Sequence, residues 1–308
     1  MMSVKMGYLL SLAAFLFLPS VPTVAKLVDS MSDCAEFLLE KTPPQVPGIL
    51  EGGNIKDQNR YKPICQTFNN EKRFVTLYDT QNKIPVFSAY KYRGEQDKGR
   101  PKTPWKIEPQ LENKADKNEN MKDGDKEKTY NYQAGDIDYK PYEKLDRGHL
   151  FPSAHAFKED DKKSTFTLTN IVPQEATFNQ GSWRRMETCI KCVMDKHCIN
   201  NNKVIEGFVV TGAQPNTADK TKNTVNIPSK MWSAFCCYNS DKKTWIASAH
   251  FSDNVKEEGG KKFLQAQTLE ELHKTLKVSV FPEKCPNQKT ATEFYPHMEK
   301  ECECPPST

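Results

Sequence analysis

Apolar and polar residues alternate in two neighbouring runs within the first third of the chain. Residues 73–78 and 84–92 have this pattern, and the polar residues 79–83 separate them. Alternation with a period of two is typical of a half-buried strand, and a polar turn between two such runs predicts a β-hairpin. Later runs rich in β-branched and aromatic residues predict further strands at 204–211, 231–238 and 244–251.

Residues 177–197 follow a helical period instead. Their apolar positions recur every three or four residues, at Trp183, Met186, Ile190, Val193 and Met194. This spacing predicts an amphipathic helix with one face on the core. Asn179 and Glu187 lie on an adjoining stripe, two turns apart and about 80° apart around the axis at about 100° per residue. Both side chains can therefore point into one cleft.

A shorter helix is indicated near the C-terminus, where Thr268 and Glu271 have the spacing of a capping box. Together the patterns predict an α+β fold, a mixed, mainly antiparallel sheet with helices packed on it. Residues 94–128 interrupt the pattern with a run of charged residues, Asn and Pro, and we expect a charged, flexible insertion there. A docking arm for nucleic acid is less favoured, because the acids and bases of this run nearly cancel.

The first 25 residues have the form of a secretory signal peptide. The apolar run 8–18 follows a positive charge and ends before Pro19 and Pro22, so it is shorter than the roughly 20 apolar residues that a membrane anchor needs. We therefore expect residues 26–308 to form a single secreted, extracellular domain without a membrane span. The net charge of +4 is only mildly basic, so binding of an anionic partner must depend on locally placed cations.

Ten cysteines are an even number, and in an exported chain they predict disulfides. The outlying cysteines at both ends are expected to tie the termini to the core. Cys189 and Cys192, with His197 and Cys198 just beyond, could instead form a zinc knuckle, although an oxidising compartment favours disulfides. The spacing leaves the pairing open.

The strongest chemical signal is Asp146-Arg147-Gly148-His149, followed by Asn179 and Glu187. Histidine is the side chain that can take a proton from water at neutral pH without special tuning. An amide oxygen suits a hard cation such as Mg²⁺, and a carboxylate can hold the water molecules around that cation. These are the groups that phosphodiester hydrolysis requires.

This motif resembles the signature of the DNA/RNA non-specific endonuclease family, nucleases with a ββα-metal core. The similarity continues through Thr169-Asn170-Ile171-Val172-Pro173-Gln174 and Phe178-Asn179-Gln180-Gly181-Ser182-Trp183 to Glu187. The cysteines 236 and 237, residues 227–229 and the terminal helix also resemble the endonuclease domain-containing 1 group. The combination is specific, whereas four residues alone would be a weak match.

The resemblance implies a role for each motif residue. His149 is the general base, Asn179 binds Mg²⁺ (or Mn²⁺) directly, and Glu187 holds metal-bound water. Asn170 braces the site, Asp146 anchors the turn of the motif, and Arg147 orients the phosphate of DNA or RNA. Arg184 and Lys191 are further candidates for substrate binding. The products would carry 5′-phosphate ends.

The family places an arginine on the second strand of the early hairpin, where this chain has Lys91. Lysine keeps the charge but lacks the bidentate fork, and Arg93, on the same strand face, could substitute. Two functions are weighed on this basis: a metal-dependent endonuclease, favoured by intact His149, Asn179 and Glu187, and a catalytically weakened extracellular binding module, favoured by Lys91. A disulfide-rich adhesion module explains the cysteines but not the motif.

Overall fold

A six-stranded antiparallel sheet is the main element of the fold. The computed structural model describes residues 27–140, 144–217, 225–260, 262–295, 297, 301–302 and 304–305. The strands are β1 (Leu50–Glu51), β2 (Asn54–Ile55), β3 (Tyr61–Phe68), β4 (Glu71–Asp79), β5 (Ile84–Tyr92), β6 (Lys106–Ile107), β7 (Lys122–Asp123), β8 (Leu145–His149), β9 (Ile171–Glu175), β10 (Gly207–Gln214), β11 (Lys230–Asn239) and β12 (Thr244–Asp253). The sheet has the order β12-β11-β10-β5-β4-β3.

The predicted strands are confirmed, including the hairpin β4–β5. Observed β10 begins at Gly207 rather than at residue 204, because Ile205 instead bridges to Ile199. The expected signal peptide at 1–25 lies outside the described residues. Among the described residues, no helix is both long and apolar enough to cross a bilayer.

Helices cover both faces of the sheet. They are α1 (Pro109–Glu112), α2 (Glu159–Ser164), α3 (Ala176–Phe178), α4 (Arg184–His197), α5 (Leu269–Leu276) and α6 (Ala291–Phe294). On one face, the five predicted apolar residues are all buried, four of them in α4 and Trp183 in the turn before it, and they pack against side chains such as Tyr90 and Tyr92. On the other face, α5 and the 3₁₀ turn Met31–Phe37 cover Val75, Leu77 and their neighbours, and Leu39 of the turn Leu39–Lys41 packs near Phe208. The α+β fold class is therefore confirmed.

The ββα core of the fold lies on the α4 face of the sheet. Strand β8 pairs with β9 in antiparallel register, His149 opposite Ile171, and β9 leads directly into α3. Between α3 and α4 the chain makes a π-helical turn, Asn179–Trp183, in which Gly181 has non-helical angles (φ −95°, ψ −115°). The predicted helix 177–197 thus forms with a distortion that its periodicity did not reveal. Such turns are frequent at functional sites.

The segment at 94–128, predicted to be a charged, flexible insertion, packs several of its residues onto the domain. Ile107, Leu111 and Met121 are buried, and so are the polar residues Lys106 and Glu108. Lys106 can be buried because its ammonium group donates hydrogen bonds to Thr103 and Pro104 and lies 3.4 Å from Asp123. A few apolar residues and locally satisfied charges are therefore enough to pack this polar run onto the domain.

All ten cysteines form disulfides, as expected for an exported chain. The pairs are Cys34–Cys65, Cys189–Cys304, Cys192–Cys302, Cys198–Cys237 and Cys236–Cys285. Two of them join α4 to the C-terminal segment, so the expected tie between terminus and core is confirmed. The zinc-knuckle alternative is wrong, because all three of its thiols are used in these bonds.

Candidate active site

Strand β8 carries the Asp-Arg-Gly-His motif, and Gly148 is required there by close packing. The side chain of Gln174, from β9, lies over the Gly148 backbone, so that a Cβ at position 148 would be 2.1 Å from Gln174 Oε1. Gln174 is fully buried and cannot easily move aside. The glycine therefore allows β9 to approach the strand that carries His149.

His149 lies in an aromatic setting with only 9% of its surface exposed. The centroids of the Trp105 and Phe166 rings are 5.4 and 5.0 Å from that of the imidazole. Burial, with the nearby charge of Arg100, lowers the pKa of His149 to about 3, although a hydrogen bond to the Arg147 backbone opposes the shift. The ring is therefore neutral at pH 7. Its Nε2 atom has no hydrogen-bond partner among the described residues, so this nitrogen can accept a proton.

Asn170 fixes the chain that follows His149. Its Oδ1 atom accepts a hydrogen bond from the Phe151 amide at 3.0 Å, and its Nδ2 atom donates to the carbonyls of Phe151 and Thr165, also at 3.0 Å. The Phe151 ring stacks on Tyr90 of β5, with 3.8 Å between centroids. Asn170 is fully buried and does not line the cleft, so its place in the structure suits a bracing role.

Asn179 is the first residue of the π-helical turn, and Asp146 orients its amide. Asp146 Oδ2 accepts hydrogen bonds from Asn179 Nδ2 at 2.8 Å and from Gln180 Nε2 at 2.9 Å. The bond uses the nitrogen of the Asn179 amide, so Oδ1 remains as the atom that can bind a cation. Asp146 thus links the motif strand to the helical segment, beyond the turn-anchoring role expected of it.

Glu257, from a loop 75 residues further along the chain, holds the same π-helical turn. Its carboxylate accepts hydrogen bonds from the Ser182 amide at 3.2 Å and from the Ser182 hydroxyl. A Cβ at Gly181 would lie 2.3 Å from Glu257 Oε2, so glycine is needed for this contact. The position of Asn179 therefore depends on a long-range contact.

Glu187 lies one helical turn beyond Trp183, whose Nε1 donates a hydrogen bond to Glu187 Oε1 at 3.1 Å. Burial raises the pKa of Glu187 to about 8, against the opposing effects of Trp183 and of Arg184 and Arg100. A buried carboxylate is stabilised in its ionised form by a nearby cation. The presence of this acid and the Asn179 oxygen in one cleft therefore fits a hydrated divalent ion.

His149, Asn179 and Glu187 line one cleft of about 900 Å³. Five basic residues share this cleft with three acids: Arg100, Arg147, Lys162, Arg184 and Lys191 with Glu95, Asp146 and Glu187. The excess of positive charge suits a phosphate backbone. Among the described residues, no three His, Cys, Asp or Glu side chains converge as a metal-ligand cluster. A cation here would accordingly keep most of its water, as Mg²⁺ commonly does.

Two of the three expected phosphate-binding cations are held by neighbours. Arg147 lies beside the rings of Trp105 and Tyr139, 5.2 and 5.5 Å from their centroids, and makes an ion pair with Asp136 at 2.8 Å. Lys191 is 3.2 Å from Glu95. Arg184, the third, lies at the exposed start of α4.

The structure does not bring Lys91 or Arg93 into the cleft. Lys91 points to the opposite face of the sheet from Tyr90 and Tyr92, where it makes an ion pair with Glu206 at 2.5 Å and lies over the Phe208 ring. Arg93 lies 3.6 Å from Asp161 and over the Phe157 ring. Alternation along β5 explains the first result, because successive side chains point to opposite faces.

Arg100, which was not among the predicted site residues, lines the cleft. Its charge acts on the pKa values of both His149 and Glu187, and its guanidinium group lies 4.8 Å from the centroid of the Phe166 ring. The sequence offered a faint signal that Arg100 is near the site, since Arg100 lies five residues before Trp105, the tryptophan of the polar run 94–128. An aromatic residue in a polar run indicates a point where that run packs on the domain.

The α+β fold, the ββα core and the polar, basic cleft together indicate that the protein is of the nuclease class. A sequence profile of the DNA/RNA non-specific endonuclease family matches residues 52–280. The chain belongs to this family, which confirms the resemblance found in its motifs.

Curated relatives agree with this assignment, and a solved structure shares the fold. The human Endonuclease domain-containing 1 protein is 27% identical over 213 residues, which are 67% of this chain and 39% of the human protein. The Nuclease of Serratia marcescens is 30% identical over 135 residues, 42% of this chain and 48% of that protein. A chain in the crystal structure of the EndoG/EndoGI complex has a TM-score of 0.50 at 16% identity, covers 71% of this chain and 90% of its own length, and supports the fold alone. The chain spans about two fifths of the human relative.

Proposed function

We propose that this protein is a secreted endonuclease that needs Mg²⁺ or Mn²⁺ and hydrolyses phosphodiester bonds of DNA, RNA or both with little sequence preference. The observation that carries the proposal is a buried, neutral His149 whose Nε2 atom has no hydrogen-bond partner among the described residues, in one cleft with Asn179 and Glu187. Five disulfides are compatible with an extracellular location. The expected signal peptide at 1–25 would direct the export.

His149 is the general base of the proposed reaction. Its Nε2 atom takes the proton of a water molecule as the oxygen of that water attacks phosphorus. Among the described residues Nε2 has no hydrogen-bond partner, so this nitrogen is the one available to accept the proton. Asn170 keeps the strand end that carries the base in place.

Asn179 Oδ1 and, through water, Glu187 would hold the divalent cation. When bound, the cation neutralises charge on the phosphate and stabilises the departing 3′-oxygen, so the products carry 5′-phosphate ends. Asp146 orients the Asn179 amide, and Trp183 orients the Glu187 carboxylate. The protein thus supplies a preformed frame for a weakly held, largely hydrated ion.

Arg100 stabilises the charge that develops on the phosphate oxygens in this proposal, the role first considered for Lys91 and Arg93. Arg147, Arg184 and Lys191 bind flanking phosphates. These contacts are with the backbone, which carries no sequence information, so cutting should show little sequence preference and binding should weaken steeply with salt.

A nicking assay on supercoiled plasmid tests the proposal. The wild-type protein should nick with Mg²⁺ present, and both EDTA and His149→Ala should abolish nicking without unfolding the protein. His273→Ala is the matched control, because this exposed histidine of α5 lies outside the cleft. If wild type and His149→Ala are equally inert across metals and pH, the protein is a binding module that keeps a nuclease fold. Lys91 is the feature that favours that alternative, and the presence of Arg100 in the cleft supports the enzyme.

A further inference from the structure

Two lysines from different helices meet one carboxylate inside the cleft. Lys162 of α2 places Nζ 2.6 Å from Glu95 Oε1, and Lys191 of α4 places Nζ 3.2 Å from Glu95 Oε2. Glu95 lies three residues after the end of β5 and five residues before Arg100. One carboxylate therefore bridges two cations within the cleft that lines the proposed reaction centre.

Lys162 is unusual because it faces the cleft while only 3% of its side chain is exposed. Its ammonium group also donates a hydrogen bond to the Ser153 carbonyl at 3.3 Å. A buried ammonium is costly unless a counter-charge and hydrogen bonds compensate it. A position for an anion is therefore built into this part of the cleft, and in the free protein Glu95 fills it.

Lys191 likewise has a contact that does not involve Glu95. Asp195 Oδ2 lies 3.2 Å from Lys191 Nζ, and the other oxygen of Asp195 accepts a hydrogen bond from Tyr92 at 2.5 Å. Both lysines thus have supports that do not involve Glu95. Their ammonium groups would stay in place if the Glu95 side chain turned away.

We propose that Lys162 and Lys191 form a binding subsite for a backbone phosphate of the nucleic acid, and that Glu95 occupies this subsite in the free protein as a competitor of the phosphate. The inference rests on the proposed function and adds Lys162, Glu95 and their competition to it. A phosphodiester, like a carboxylate, offers two charged oxygens to a pair of cations.

Binding of nucleic acid then requires only that the Glu95 side chain rotate. The backbone around it is fixed, because the Phe157 carbonyl accepts hydrogen bonds from the amides of Gln96 and Asp97, and Asp97 accepts one from the Glu159 amide. No loop has to open. The effect of Glu95 should therefore be on affinity, without a slow conformational step.

Glu95→Gln removes the competing charge and keeps the shape of the side chain. We expect this variant to bind a dye-labelled 20-base-pair DNA duplex in EDTA roughly three- to tenfold more tightly than wild type, because the juxtaposed like charge is lost. Its affinity should also depend more steeply on salt, by about one unit of log Kd per log salt, since about one further phosphate is neutralised. Fluorescence anisotropy at several salt concentrations measures both.

Glu159→Gln is the matched control for net charge. Glu159 is an exposed acid of α2 that pairs with Lys163 and lies outside the cleft, so its loss should change affinity less than twofold. Lys162→Gln added to Glu95→Gln should remove the gain in affinity, as should Lys191→Gln if the Lys162 variant does not fold.

The proposal is overturned if Glu95→Gln binds no more tightly than Glu159→Gln, or if its gain persists without either lysine. It is also overturned if neither wild type nor Glu95→Gln binds the duplex. Plasmid nicking by the wild type is measured separately. A protein that nicks DNA but gains nothing from Glu95→Gln keeps the proposed function and loses only the subsite.

Discussion

Asp146 Oδ2 accepts a hydrogen bond from Asn179 Nδ2 at 2.8 Å, and this contact joins the strand that carries the proposed base to the helical segment that carries the proposed metal ligand. The two residues are 33 positions apart in the chain. The bond fixes which end of the amide is available to a cation. Asp146 would thereby act on the proposed cation through another residue, as outer-shell groups of metal sites commonly do.

Asp146→Ala should therefore weaken the apparent affinity for Mg²⁺ by roughly 10- to 100-fold, the usual cost of losing such a partner. Activity should partly recover at saturating Mg²⁺, because the ligand itself is intact. Titration of the nicking rate with Mg²⁺ measures the shift. Gln180→Ala removes the other donor to the same oxygen and should have a much smaller effect; equal effects of the two variants would contradict the orienting role.

Arg100 and Lys91 offer a second test, because one lies in the cleft and the other on the far side of the sheet. Arg100→Ala should lower kcat by roughly 10²- to 10³-fold, the range for removing one transition-state donor, while Arg100→Lys should recover only part of the loss. Lys91→Ala and Arg93→Ala should stay within about twofold of wild type. Initial rates on a labelled oligonucleotide at saturating Mg²⁺ provide the comparison. A loss in Lys91→Ala as large as that in Arg100→Ala would restore the assignment based on sequence.

Gly148 provides a third test, of stability. Gly148→Ala places a methyl group 2.1 Å from Gln174 Oε1 and 2.6 Å from Gln174 Cβ, so the strands must separate. Overpacking of this kind should lower the free energy of unfolding by about 1–3 kcal/mol. Combining Gln174→Gly with Gly148→Ala should recover part of the lost free energy of unfolding. Denaturant unfolding of the single and double variants measures the coupling, and strictly additive effects would show that the clash is not the cause.

Local patterns in the sequence predicted much of the fold. The strands β4 and β5 and the buried face of α4 follow from periods of two and of three to four residues, because neighbours along the chain decide them. The π-helical turn does not follow in this way. It depends on Glu257, 75 residues beyond Ser182, and such a contact has no signature in the local sequence.

The candidate site was predicted unevenly for a similar reason. His149, Asn179 and Glu187 belong to one motif, and the structure places them together in the cleft. Lys91 was chosen by its position along a strand, and its side chain points to the other face. Arg100 was missed because the polar composition of its surroundings hides the few residues, such as Ile107, that pack this segment onto the domain.

Glu108 is the basis of the last prediction, a dependence of stability on pH. It lies in the same polar segment, is buried, and accepts a hydrogen bond from the Thr167 hydroxyl at 3.4 Å. Burial raises the pKa of Glu108 to about 8 from a usual value of 4.5. Between these two values the folded protein holds a proton that the unfolded chain has released.

The stability that Glu108 contributes is therefore fully present below pH 4.5 and is lost as the pH rises to about 8. The free energy of unfolding should fall by about 1.4 kcal/mol per pH unit across this window. Glu108→Gln keeps a neutral side chain at every pH, so its stability relative to wild type should increase by about 4 kcal/mol between pH 5 and pH 8. Denaturant unfolding at the two pH values measures the change, with Glu127→Gln, an exposed acid of the same segment, as the control for a lost charge. If Glu108→Gln and Glu127→Gln shift in parallel, Glu108 is ionised in the folded protein, and its burial must be balanced by a cation or by water.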